Sequence, residues 1–164
     1  MKLTRIYLMM SIGLLCLVIN TNGYCSSKDL PKSDNRDWET FGTSNDAAYY
    51  YDKRDITRVS DRLSVWTLIK VPEEFKKDTI EKMKKAYPKK TINYQAYGES
   101  RELLEIDCGK KQFRTKLSVM FDNRGDVLSD MRGDEDWKAI ESDSLNDVLY
   151  QKVCKTEEKA WEKE

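Results

Sequence analysis

The first 23 residues set the chemical conditions under which the rest of the chain folds. Lys2 and Arg5 open the segment, a run dominated by apolar side chains extends from Ile6 to Ile19, and Asn20-Thr21-Asn22-Gly23 follows. No acidic residue precedes Asp29. A basic head, a short apolar middle and a small-residue exit describe a secretory signal peptide, here cleaved near Gly23. About fourteen apolar-dominated residues fall short of the roughly twenty that a helix needs to cross the hydrocarbon core of a bilayer. The expectation is an exported chain, with no transmembrane segment after processing, that folds in an oxidising compartment.

Export gives the cysteines their meaning. Of the four, Cys16 lies inside the signal segment and is lost with it, while Cys108 and Cys154 lie deep in the remaining sequence. In an oxidising compartment those two are most simply a disulfide. Closing a loop of about 46 residues contributes roughly 4 kcal/mol on the chain-entropy account. Cys25 stands near the new N-terminus. Lipid attachment needs a small residue immediately before the cysteine, and Tyr24 fits poorly there, as does Leu15 before Cys16. Soluble export is the first reading, a lipid anchor at Cys25 the second, and a leftover thiol the third.

Processing leaves about 141 residues, the length of one domain. It removes two basic side chains and no acid, so 29 cationic residues become 27 against 29 acidic ones and the net charge is near −2. A nucleic-acid binder would carry a strong basic excess, so nucleic acid is not an expected partner. Histidine is absent from the whole chain. That excludes Ser-His-Asp and Cys-His catalysis and His-based zinc sites. A Ser-Lys pair or a carboxylate pair remains conceivable, but no spacing selects one. Nothing in the sequence asks for a metal or a cofactor, and no catalytic residue is assigned.

Residues 24–36 are polar around Pro31 and suit a flexible spacer; residues 37–155 form the domain, and residues 156–164 a charged tail. Within the domain, period two dominates. Strands are expected over Trp38–Phe41, Ala47–Tyr51 and Arg62–Val71, with Asp52-Lys53-Arg54-Asp55 as a turn. Arg62–Val71 carries apolar residues on both sides, as a central strand covered on both faces does. Pro72-Glu73-Glu74 opens a helix that runs to Tyr87 and stops at Pro88. Tyr97–Cys108 and Gln112–Phe121 are two further strands joined by the hairpin Cys108-Gly109-Lys110-Lys111. In the second of them Phe113, Leu117, Val119 and Phe121 point inward. Asp122-Asn123-Arg124-Gly125 turns the chain into a strand from Asp126 to Met131. Leu145, Val148, Leu149, Lys152 and Val153 then fall at helical intervals behind a cap at Ser142 or Ser144. The expected fold is α+β: an antiparallel β-meander with a C-terminal helix packed on one face and tied to it by the disulfide, plus one helix inserted between strands.

These residues resemble a known family. Asp37-Trp38, Tyr49-Tyr50-Tyr51-Asp52, Ile56 and Val65-Trp66 come first. Leu104-Glu105-Ile106-Asp107-Cys108, Phe113-Arg114 and Asp122-Asn123-Arg124-Gly125-Asp126-Val127-Leu128 follow. Trp137, Ile140, Ser144, Leu149-Tyr150 and Val153-Cys154-Lys155 complete a run that is similar to the surface-adhesin protein E family of bacterial envelope proteins. The resemblance implies an antiparallel sheet with helices against it, a disulfide matching Cys108 and Cys154, and a non-catalytic binding role in the periplasm, at the cell surface or after secretion. It further implies extracellular or envelope protein ligands, with haem as a possible ligand by family resemblance alone. No binding motif of the namesake transfers residue by residue. Alternatives are a structural periplasmic protein and a small secreted hydrolase working through carboxylates.

Two groups of residues are candidates for partner binding, each with a plainer reading beside it. Tyr49, Tyr50 and Tyr51 with Trp66 form either a recognition surface or ordinary strand packing on alternate faces. Lys82, Lys84, Lys85, Lys89 and Lys90 lie in a nine-residue stretch without an acid. They suit an acidic partner, or simply complement the negative pole of the helix dipole. Asp134, Glu135 and Asp136 lack the spacing of a calcium loop and read as a solvated turn. Glu105 and Asp107 read as the wet face opposite Leu104 and Ile106.

Overall fold

Strands pair where apolar side chains recur every second residue, and the chain does this in sequence order. The structure, a computed structural model, describes residues 36–88 and 91–155. The expected signal segment, all of the spacer except Arg36, both Cys16 and Cys25, the pair Lys89 and Lys90, and the tail lie outside the described residues. Among the described residues there are seven strands: β1 Trp38–Thr43, β2 Ala48–Val59, β3 Arg62–Lys70, β4 Tyr97–Asp107, β5 Gln112–Asp122, β6 Val127–Arg132 and β7 Lys138–Ala139. The first six pair antiparallel with their neighbours in chain order, and β7 adds to β5 beside its start. The expected meander is therefore the observed one.

Helix α1, Glu73–Ala86, enters behind Pro72 and carries Glu73 and Glu74 at its positive end and Lys84 and Lys85 at its negative end. It buries Ile80, with Phe75 and Met83 packed beside it, against Val71, Tyr94, Tyr97 and Met120. Helix α2, Leu145–Tyr150, is capped by Ser144, whose hydroxyl oxygen accepts the Asp147 amide, and it widens into a π-type turn over Gln151–Lys155. Leu149, Val153 and Cys154 sink into a second cluster with Phe41, Leu63, Val65, Leu104 and Ile106. Val148, expected on the buried stripe, is 40% exposed instead. Because Val65 and Ile69 share one side of the unbroken β3, both helices cover the same face of the sheet, one at each end.

The disulfide joins the residue after β4 to the last turn of the chain: Cys108 and Cys154 are bonded with Cα atoms 5.7 Å apart. Three contacts flank it. The Tyr150 hydroxyl donates to the Cys108 carbonyl, Arg58 donates to the Val153 carbonyl, and Lys152 pairs with Glu39 on β1 at 2.7 Å.

Among the described residues no helix packs on the opposite face. Trp66, Leu117, Val119 and Phe121 cluster there, with Trp38 and Leu103 against them. Guanidinium groups close that cluster: Arg36 lies 4.9 Å from the Trp66 ring centre and Arg101 4.6 Å from that of Phe121. Both faces of β3 are thus covered, as its sequence implied.

Three expectations need correction. Asp52-Lys53-Arg54-Asp55 is no turn but the middle of β2, and the hairpin lies at Ser60-Asp61. The reason is that the Asp52 side chain bonds locally: its Oδ1 accepts the amides of Arg54 and Asp37 while Arg36 reaches its other oxygen at 3.3 Å. The result is an irregularity between Tyr51 and Ile56 rather than a reversal. Ser60, at φ 55°, makes the real turn without the glycine that would have announced it. Second, Phe113 faces the helices whereas Leu117, Val119 and Phe121 face away. An extra residue between Thr115 and Leu117 opposite Leu103/Leu104 reverses the alternation. Third, Asp107 is buried, not wet. Its Oδ1 accepts the Lys110 amide and so closes the expected hairpin. Glu105 keeps its expected side, paired with Arg114 at 2.6 Å. The Asp122 turn also forms as read, with Oδ1 accepting the amides of Arg124 and Asp126 and Gly125 at φ 81°.

Replacing Cys108 and Cys154 together with Ser is expected to cost up to about 4 kcal/mol, seen as a lower urea midpoint; an unchanged midpoint would show that the bond constrains nothing. Asp52→Ala is expected to cost about 3 kcal/mol, because it removes the nearly buried carboxylate that accepts from Arg36 and from two main-chain amides. Asp52→Asn keeps one acceptor oxygen and is expected to cost less in the same denaturation series.

Candidate functional site

The two helices leave a gap between them on the sheet face they share. Across that gap, partnered residues line up strand by strand: Glu39 with Tyr51, Tyr51 with Thr67, Thr67 with Glu102, Glu102 with Ser118, and Ser118 with Met131. Thr67, Glu102 and Ser118 thus form a polar row across the sheet between two apolar clusters. A sheet buried under helices is ordinarily apolar along such a row, so this one calls for a physical account.

At the β1 end the account is complete. Tyr51 hydrogen-bonds Glu39, and burial beside that carboxylate pushes its phenol up to about 12. Glu39 is held below the usual carboxylate range chiefly by its hydrogen bond to Lys152. Tyr51 is 7% exposed and serves to seat the C-terminal turn.

At the centre the row opens into a cleft of about 270 Å³. Its floor is formed by Ile69, Glu102, Ser118 and Met120, its helical wall by Thr79, Lys82 and Met83, and its far side by Tyr97, Ser100 and Met131. Asp46, Ala47 and Tyr49 close the end nearest β2. Burial pushes the Glu102 carboxyl above the usual range, partly offset by a hydrogen bond from Ser118. Tyr97 shares a 3.1 Å hydrogen bond with Ser100, and the Thr67 hydroxyl donates to the Glu102 main-chain carbonyl. Lys82 stands at the mouth, 3.5 Å from Asp46, which also accepts a bond from Ser44.

Chemically the cleft offers one half-buried carboxyl group on a floor that Ile69 and Met120 make largely apolar. Hydrolysis by a carboxylate pair needs two such groups flanking one bond. The other acid in the lining, Asp46, is engaged at the mouth by Lys82 and Ser44. Among the described residues no group of three or more His, Cys, Asp or Glu side chains could hold a metal ion. The arrangement suits binding.

The residues singled out from the sequence are dispersed. Tyr49 borders the cleft and packs against both apolar clusters on the helix face; Tyr51 is buried on that face, and Trp66 is buried on the opposite one. They do not make one surface. Lys82, Lys84 and Lys85 lie along the C-terminal half of α1, where Lys84 pairs with Glu81 at 2.9 Å. Asp134 to Asp136 form the solvated turn expected, with Asp134 accepting the Asp136 amide and held low mainly by that bond. Glu102 was missed. Its signal was present, since period two places it on the same face as Leu104 and Ile106.

The profile of a family described as surface-adhesin protein E matches residues 38–155, from the first strand to the disulfide-bonded final turn. No curated protein and no solved structure matches the chain significantly. With about seven-tenths of its sequence inside that match, the chain belongs to the surface-adhesin protein E family.

Proposed function

We propose that this protein is an exported, non-catalytic binding module of the bacterial cell envelope, acting in adhesion or ligand capture at the surface or in the periplasm. The observation that carries this reading is the family match over residues 38–155. An adhesin family supports an exported or surface location and external ligands. The disulfide supports the same reading, because such bonds persist in oxidising compartments. Among the described residues no helix is long and apolar enough to cross a membrane. Export rests on the signal segment over residues 1–23 with cleavage near Gly23, and soluble export precedes a lipid anchor at Cys25. Measuring the mass of the mature N-terminus in fractionated cells tests both, since an uncleaved residue 1 contradicts export by this route and a diacyl mass at Cys25 selects the anchor.

The partner-binding surface proposed is the lysine-bearing end of α1, made of Lys82, Lys84 and Lys85 with Lys89 and Lys90 beyond it. It fits an acidic or polyanionic partner. The ion pairs of Lys82 and Lys84 with Asp46 and Glu81 lie at the surface, where such pairs contribute about 0–1 kcal/mol and yield readily to a stronger partner.

Changing Lys84, Lys85, Lys89 and Lys90 together to Glu is expected to leave the melting temperature within a few degrees of the parent and to abolish salt-sensitive retention on immobilised heparin, used as a polyanion. Retention that is unchanged by the four substitutions would remove this surface from the account.

A further inference from the structure

Glu102 stands on the floor of the cleft with no ion-pair partner among the described residues. A carboxyl group half-withdrawn from water without a cation partner is costly, and one that lines a cleft is a candidate ligand-binding group. Of the hydroxyls around it, the one on Thr67 is committed to the main-chain carbonyl of Glu102 and the one on Tyr97 shares a bond with Ser100. Ser118 is the hydroxyl near enough to act on the carboxyl itself, partly offsetting the effect of burial. An ionised carboxylate has about four acceptor positions, so Glu102, which lines the cleft, keeps acceptor capacity for a ligand there.

The other walls indicate what the ligand looks like. Met83, Met120 and Met131 approach from a helix and two strands, and flexible thioethers adapt to small apolar bodies of varied shape. The volume of about 270 Å³ lies just below the roughly 300–1,000 Å³ of clefts that enclose drug-sized molecules, which limits the occupant to a small one. Charge decides the head group. An anion would be repelled by Glu102, and a neutral head would leave the half-buried carboxyl without a cation. An ammonium group supplies three donors and the missing positive charge together.

We propose that this cleft binds a small primary amine with a short alkyl body, its ammonium group against the Glu102 carboxylate and its chain against Met83, Met120 and Met131. The site adjoins the lysine surface proposed above, sharing Lys82 at its mouth, but it is argued from Glu102 and the three methionines, which that surface does not use. Binding selects the ionised form of Glu102, whereas burial in the empty cleft favours the neutral form, so affinity falls as pH drops through the range in which Glu102 takes up its proton. The groups facing it are Lys82 and Asp46 at the mouth and the phenols of Tyr49, Tyr87 and Tyr97. Lys82 is engaged with Asp46 rather than with Glu102.

The test is titration of the full protein, labelled at its methionine methyl groups, with n-pentylammonium and with n-pentanol, followed by NMR. The expected result is saturable shifts at Met83, Met120 and Met131, with at least about tenfold tighter binding of the amine than of the alcohol at pH 7. Glu102→Gln is nearly isosteric and is expected to remove that preference while leaving the alcohol's affinity within about twofold. Equal affinity for amine and alcohol in the parent protein overturns the proposal, as does a preference that survives Glu102→Gln. Amine-induced shifts that bypass the three methionines overturn it as well. Because the amine–alcohol comparison uses the unaltered chain, a poorly folded variant would not rescue the idea.

Discussion

A covalent bond between the end of β4 and the last turn of the chain governs how the helix face is built. Helix α2 has six residues, too few to hold a helical form by hydrogen bonding alone. Tied at Cys154 to Cys108, it is kept where Leu149 and Val153 fill the space over Leu63, Val65, Leu104 and Ile106. The Tyr150 bond to the Cys108 carbonyl and the Lys152 pair with Glu39 then fix its orientation against both ends of the sheet. Leu149, fully buried, contributes about 1.5–3 kcal/mol by burial, but only because the bond delivers it there.

Fixing α2 at one end of the face and α1 at the other determines where the cleft can be. The polar row from Thr67 through Glu102 to Ser118 divides the two apolar clusters, and α1 borders the cleft above its Glu102–Ser118 end. The other face shows a contrasting solution. There, arginine side chains stacked on Trp66, Trp38 and Phe121 close the core without a helix, using their alkyl stems and flat charged heads together. The Arg36–Asp52 pair that anchors this arrangement is nearly buried, and its carboxylate also holds two main-chain amides. One face therefore resolves its buried charge internally, while on the face with the cleft Glu102 has no cationic partner among the described residues.

Much of this was legible in the sequence, because its determinants are local. Pro72-Glu73-Glu74 and Pro88 bound α1, the Asp122 turn carries its own hydrogen bonds, and the expectation of export makes a bond between the two deep cysteines the simplest reading, which the structure shows. What was misread depends on distant partners. Asp52 looks like a turn residue, and it does make a turn-like bond, but pairing of β2 with β1 and β3 absorbs that bond as an irregularity within a strand. The reversal of facing after Thr115 follows from register against β4, which no local pattern records. Strand β7 is two residues long and exists only as an addition to the start of β5. Glu102 was overlooked because the neighbouring Glu105 and Asp107 drew attention to the opposite face. The aromatic residues read as one group divide between two faces, as alternation demands.

The account turns on a disulfide formed in an oxidising compartment after export. Peptide mapping by mass spectrometry, on mature protein isolated from the cell envelope without reductant, tests it most directly. The predicted result is a single cross-linked species joining the peptides that contain Cys108 and Cys154, on a chain that begins after Gly23. Free thiols at both positions, or a bond from either of them to Cys25, would contradict it.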